Sequence, residues 1–169
     1  GNMSTIKVDT ITDTSGNSIP YMKGAVLQTV VQQEDGATSF TASGTNDVIM
    51  LASNAADSSS HLSLSITPKS VNSKILLTAC VFHEVNNTSN HSTLWSFYRD
   101  STKLAAASAG DRRSGIGQTA QGYWASDANS TADVVNYHYY DSPNTTSAIT
   151  YAVSFTNTTS NTVLYLNRT

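Results

Sequence analysis

Val134-Val135-Asn136-Tyr137-His138-Tyr139-Tyr140-Asp141-Ser142-Pro143-Asn144-Thr145-Thr146-Ser147-Ala148-Ile149-Thr150-Tyr151-Ala152-Val153-Ser154-Phe155 reads as two strands around a turn. In the second limb Ile149, Tyr151, Val153 and Phe155 alternate with Ala148, Thr150, Ala152 and Ser154. That period of two turns one apolar row inward and one small or polar row outward. The first limb divides into Val135, Tyr137 and Tyr139 on one face and Val134, Asn136, His138 and Tyr140 on the other, so some cover is expected on both. Between the limbs, Pro143 presets its own φ, holds Ser142 extended and leaves Asn144 the awkward third position of the turn. The expectation is a β-hairpin, and with it an all-β chain.

Working outward, residues 1–24 read as an extended N-terminal arm and 25–169 as one β domain. In the arm, Ile6 and Val8 alternate with Lys7 and Asp9, and Asp13-Thr14-Ser15-Gly16-Asn17 is a turn cluster. Too few apolar groups occur there to hold it down alone, so it lies on the domain, packs against neighbouring copies or stays loose. Gly1-Asn2 precede Met3, and a natural start at Met3 would make this a small complete protein. The body is expected to begin with a strand over Ala25–Gln32, followed by a polar loop over Glu34–Ser39 and a short apolar run at Val48–Leu51. Leu62, Leu64 and Ile66 share one face of a strand that Pro68 ends. Lys74–Val85 is apolar on both faces, as a central strand would be, and Asp100-Ser101-Thr102 turns Thr93–Arg99 tightly back into Lys103–Ala107. Short strands with turn signals every 8 to 12 residues or so describe a sandwich or barrel. An antiparallel, jelly-roll-like β-sandwich is the expected fold, and no solenoid or propeller period occurs.

A resemblance runs through the same residues. Tyr140-Asp141-Ser142-Pro143-Asn144-Thr145-Thr146-Ser147, followed by Thr150-Tyr151, is similar to a signature of tail-fibre and virion structural proteins of marine bacteriophages known from ocean metagenomes. Met3–Ile11 resembles that family's opening, Ile66–Ser70 with Ser73–Leu76 its central strand pair, and Leu164–Arg168 its close. The resemblance implies a scaffold, a homotrimer and other virion proteins as partners. It also implies a place in the phage tail or fibre, extracellular after release. Residues 110 to 130 match none of its motifs, and that is where a partner-specific surface would be expected to vary.

Composition limits the function classes. Charged residues make up 12% of the chain against an ordinary share of about 25%, and Ser, Thr, Asn and Ala take their place. Such a surface suits a long-lived β protein, or one packed against its own copies. A net charge of −3 argues against duplex nucleic acid, which needs a basic field. No stretch approaches the roughly 18 apolar residues of a membrane span, and no basic-then-apolar leader precedes the first strand, so neither membrane insertion nor a signal peptide is expected. Cys80, the only cysteine, lies in an apolar run and is expected to be a small buried hydrophobe.

The chemistry-bearing residues are sparse. His83-Glu84 and His91 have the right donor types for zinc, but a loop separates them and no fourth ligand is indicated, so no metal or other cofactor is expected. His138, between tyrosines, suits a subunit or sheet interface. A glycan-cleaving site needs two carboxylates roughly 5 to 10 Å apart. Glu34, Glu84, Asp111, Asp127, Asp133 and Asp141 are the candidates, none paired by strand register, and Asp141 is best read as capping its turn. No catalytic residue is expected, and the chain reads as non-enzymatic. A binding surface is harder to dismiss. Asp111, Arg112 and Arg113 in a mobile charged loop, followed by Gln121, Tyr123 and Trp124, join hydrogen-bonding groups to aromatic faces, the combination that recognises sugars. The competing reading makes the two aromatics core or interface residues. Three functions follow: a receptor-binding or attachment module for a host-surface glycan or protein, a purely structural or decoration component, and a polysaccharide depolymerase.

Overall fold

The alternating limb at 149–155 is the middle of a sheet, and the limb before it belongs to a different one. The computed structural model describes residues 26–86, 93–107, 109–119 and 132–168, together with Ser15. The arm, apart from Ser15, and the segment 120–131 lie outside the described residues. The strands are β1 (Thr38–Thr41), β2 (Val48–Ile49), β3 (Ser63–Ile66), β4 (Ile75–Val85) and β5 (Leu94–Arg99), then β6 (Thr102–Leu104), β7 (Gly117–Gln118), β8 (Asp133–Asp141), β9 (Ile149–Thr156) and β10 (Val163–Leu166). A single 3-10 turn, Ala52–Asn54, is the helical content of the described residues.

Two antiparallel sheets form a β-sandwich. The first has the order β1-β10-β4-β8. In the second, β9 and β5 are central. β2 and β3 pair with successive parts of β9, at Val48↔Phe155 and Ser63↔Ala152, while β7 and β6 pair with successive parts of β5, at Trp95↔Gly117 and Phe97↔Leu104. Each edge of the second sheet is therefore one lane filled by two short pieces, and short edge strands offer little template for unwanted pairing.

β8 and β9 are not a hairpin. β8 pairs with β4, from Ile75↔Asp141 to His83↔Asp133, and β9 pairs with β5, so 142–148 is an arch between sheets. Asn144 does take positive φ, at 53°, as the turn chemistry requires. The local pattern specifies a strand and its apolar face but is silent on its neighbour, and the long apolar β4 outcompetes β9 for β8. β3 and β4 likewise follow one another in sequence yet lie in different sheets, as do β4 and β5. Only β5 and β6 form the tight hairpin expected, with Asp100 at φ 51°.

The inward rows meet in one core. Trp95, Phe40, Phe155, Met50 and Leu164 are fully buried. Trp95 packs against Phe155 and Tyr137 at centroid distances of 5.9 and 6.4 Å, and Phe97 against Tyr137 at 4.7 Å. Ile149, Tyr151, Val153 and Phe155 are all buried, as expected, but so are Ala152 and Ser154 of the outward row. Ser154 meets Ser96 at 2.7 Å between hydroxyl oxygens, small residues closing the other side of the second sheet.

Other expectations are corrected. Residues 26–35 belong to no strand, and Val26 and Val31 are 83% and 80% exposed: an apolar β-forming run does not by itself supply a ladder partner. β1 starts inside the expected polar loop, where Phe40 alone signals burial. Cys80 is exposed, since it has the outward parity on β4. β4 buries Leu77 and Val81 but leaves Leu76 and Phe82 outside, so its two apolar faces do not mean two covered faces.

Candidate binding surface

The loop after β6 owes its course to two glycines. Ile116 donates to the Trp95 carbonyl at 2.8 Å, drawing 115–118 onto the edge of β5. A Cβ at Gly115 would lie 3.0 Å from the Trp95 carbonyl oxygen, and one at Gly117 would lie 3.1 Å from Cγ of Tyr137. Glycine thus permits the close approach that anchors the loop's far end. Its near end turns at Gly110, with φ 60°, and leaves Asp111 and Arg112 exposed.

Arg113 behaves differently. It is half-buried, and burial pulls its guanidinium below the ordinary value while the negative charge of Asp47 acts against that shift. Asp47, just before β2, is the centre of a polar cluster. Its carboxylate accepts from the Tyr98 hydroxyl and from Lys103 Nζ, both at 2.8 Å. Burial, then donation to Asp47, pushes the Tyr98 phenol up to about 12. Tyr98 comes from β5 and Lys103 from β6, so two paired strands converge on one carboxylate. Lys103 and Tyr98 fix the Asp47 carboxylate, and the exposed Arg112 in the neighbouring loop adds a guanidinium able to bond hydroxyls or carboxylates of a ligand. Asp47, Tyr98 and Lys103 were not legible as a site in the sequence, because they join through β5–β6 pairing and a contact from the β1–β2 connection. Asp111, Arg112 and Arg113 do share this loop, whereas Gln121, Tyr123 and Trp124 lie outside the described residues.

The remaining chemical candidates have structural partners. His83 is fully buried. Its Nδ1 lies 3.1 Å from the Val81 carbonyl and its Nε2 lies 3.0 Å from Thr119 Oγ1, which also accepts from Trp95 Nε1 at 3.0 Å. A carbonyl only accepts, so Nδ1 carries the proton and the Thr119 hydroxyl donates to Nε2. Burial holds this imidazole below its ordinary value, and with both nitrogens occupied it is a core group. Glu34 accepts from the amides of Gly36 and His61. His138 is exposed on the outer face of β8, opposite Thr78.

Asp141 corrects the turn-capping expectation. Its carboxylate accepts from Arg99 Nη1 at 2.9 Å and from the Tyr151 hydroxyl at 2.6 Å, tying β8 of the first sheet to β5 and β9 of the second. Burial and that donation raise the Tyr151 phenol. Within the same motif Ser142 accepts from Lys74 Nζ at 2.7 Å, and Thr145 Oγ1 accepts from the Ser147 amide. Pro143, Asn144 and Thr146 complete the arch, and Tyr140 projects outward, 63% exposed. The chain matches no known protein family, no curated protein and no solved structure.

Proposed function

We propose that this chain is a non-enzymatic virion protein of the phage tail-fibre type, assembled as a trimer, that attaches to a host-surface glycan or protein. The observation that carries the attachment reading is the convergence of Tyr98 and Lys103 on Asp47, with Arg113 within reach of that carboxylate's charge and Arg112 exposed next to it in sequence. Fixed polar groups suit the hydroxyls of a sugar, and a rigid sheet beneath them limits the entropy lost on binding. The resemblance of 140–151 to virion proteins supports the scaffold reading, since Asp141 and Tyr151 join the sheets without supplying any reactive group. Counting each split edge as one lane, the strand order supports a jelly roll, an architecture found in capsid and lectin domains. Fold alone assigns no function.

Arg112→Ala combined with Trp124→Ala, in a protein that still folds, is expected to abolish adsorption to host cells and binding to a host-polysaccharide array. Unchanged adsorption removes the site. An array without binders, from a protein that still assembles, selects the decoration role. Release of reducing sugar from the polysaccharide selects the depolymerase.

A further inference from the structure

We propose that the outer face of the first sheet, together with the groove beside it, is the surface on which a second copy of this chain docks. Among the described strands, large exposed apolar side chains occur on the first sheet only. On the sheet itself they are Leu76, Phe82, Val134 and Tyr140, exposed by 64, 39, 43 and 63%. The register sets them opposite one another, Leu76↔Tyr140 and Phe82↔Val134, with Thr78↔His138 and Cys80↔Asn136 between. Among the described residues the strands of the second sheet contribute no member to this set. Single exposed apolar residues are ordinary, but a contiguous set confined to one face marks an interaction surface.

The groove extends this face. It has a volume of about 830 Å³, and Leu76 and Tyr140 line it as well as the outer surface. One wall is β4, whose far edge meets β10 only over His83–Val85, leaving the edge of 75–81 without a ladder partner among the described residues. The groove is also lined by Leu64 and Ile66 of β3 and by 26–32, a strand-forming sequence paired with no strand, with Val26, Leu27, Val30 and Val31 exposed. An open strand edge beside uncovered apolar side chains favours another chain in register with it.

Charge selects the occupant. No outward position from Leu76 to Phe82, or from Val134 to Tyr140, carries a carboxylate, an ammonium or a guanidinium, so identical copies approach without like-charge repulsion. The groove is lined by Lys69 and Lys74 and by no carboxylate. A polyanionic partner would find no cluster of cations on the strands, whereas a second copy presents the same uncharged, partly apolar face. Closed assemblies of one chain are the usual way such faces are covered. This inference rests on the assembly part of the proposed function and is independent of the attachment part, which lies on the other sheet.

The test measures solution mass by light scattering on the full chain and on a Leu76→Asp, Tyr140→Asp variant, and follows the thiol of Cys80 with a disulfide reagent. Expected is a wild-type mass that is a multiple of 18.0 kDa, a variant at the single-chain mass with an unchanged far-UV spectrum, and Cys80 reacting at least about tenfold faster in the variant. A monomeric wild type overturns the proposal, and protected Cys80 in that monomer assigns the cover to the chain's own arm. A variant of unchanged mass also overturns it. If the variant misfolds, wild-type Cys80 in the oligomer decides: a rate like that of a free thiol overturns the proposal, and strong protection sustains it. Glycan binding by a monomer would leave the attachment reading intact while this one fails.

Discussion

Asp141 is the residue where physical necessity is clearest. A carboxylate with an 8% exposed side chain has to be compensated, and Arg99 and Tyr151 do so from across the sandwich. Removing one partner of such a group leaves the others desolvated and unmatched. Asp141→Ala is expected to cost about 2–4 kcal/mol by denaturant unfolding, with Tyr151→Phe costing about 1.5–3 kcal/mol. A double-mutant cycle of Arg99→Ala with Tyr151→Phe should show coupling above about 0.5 kcal/mol, and strict additivity would dissolve the proposed staple. His83 is the second such residue. Its value in the folded chain lies below that in the unfolded chain, so on acidification the unfolded chain takes up the proton first. Stability is therefore complete above about pH 6.5 and falls as pH drops toward the depressed folded value, by up to about 1.4 kcal/mol per pH unit. The measurement is unfolding free energy between pH 7 and 5, where His83→Gln should flatten this slope.

Among the elements, the loop after β6 shows how a pattern is misread and why. Gly115-Ile116-Gly117 looks like flexible chain, yet it is the point at which the chain touches β5 and the ring of Tyr137. Tyr137 is fixed by Phe97 on one side and by donation from its hydroxyl to the Ser96 carbonyl at 3.1 Å, so the ring cannot yield. Gly117→Ala is expected to destabilise by about 1–3 kcal/mol and to lower the melting temperature, with Arg112→Ala in the same loop close to neutral. Equal effects of the two would mean that β7 is not anchored. The arch at 142–148 makes the same point about connections: the turn chemistry of Pro143 and Asn144 was readable, and whether it joined strands of one sheet or of two was not.

At the scale of the whole molecule, the two outer surfaces of the sandwich differ in chemistry. One is nearly uncharged and partly apolar; the other gathers Asp47, Tyr98, Lys103 and Arg113. A chain lacking residues 1–20 should remain folded, because the core runs from Phe40 to Leu166, and it should keep the solution mass of the full chain if the first sheet supplies the contact. A folded but monomeric truncation would move the assembling surface into the arm.

The sequence by itself determined most strands, their apolar faces, the positive-φ turns and the all-β class, since each follows from a period of two or from the backbone preference of a few residues. The same local signals placed Asp111, Arg112 and Arg113 in one loop. Only the tertiary structure decided that β8 pairs with β4, that Asp141 bridges sheets, that Asp47 joins the candidate site and that Cys80 faces outward. Those facts depend on which strand takes which neighbour, a competition among distant segments for the same ladder and the same buried volume. No local period records its outcome.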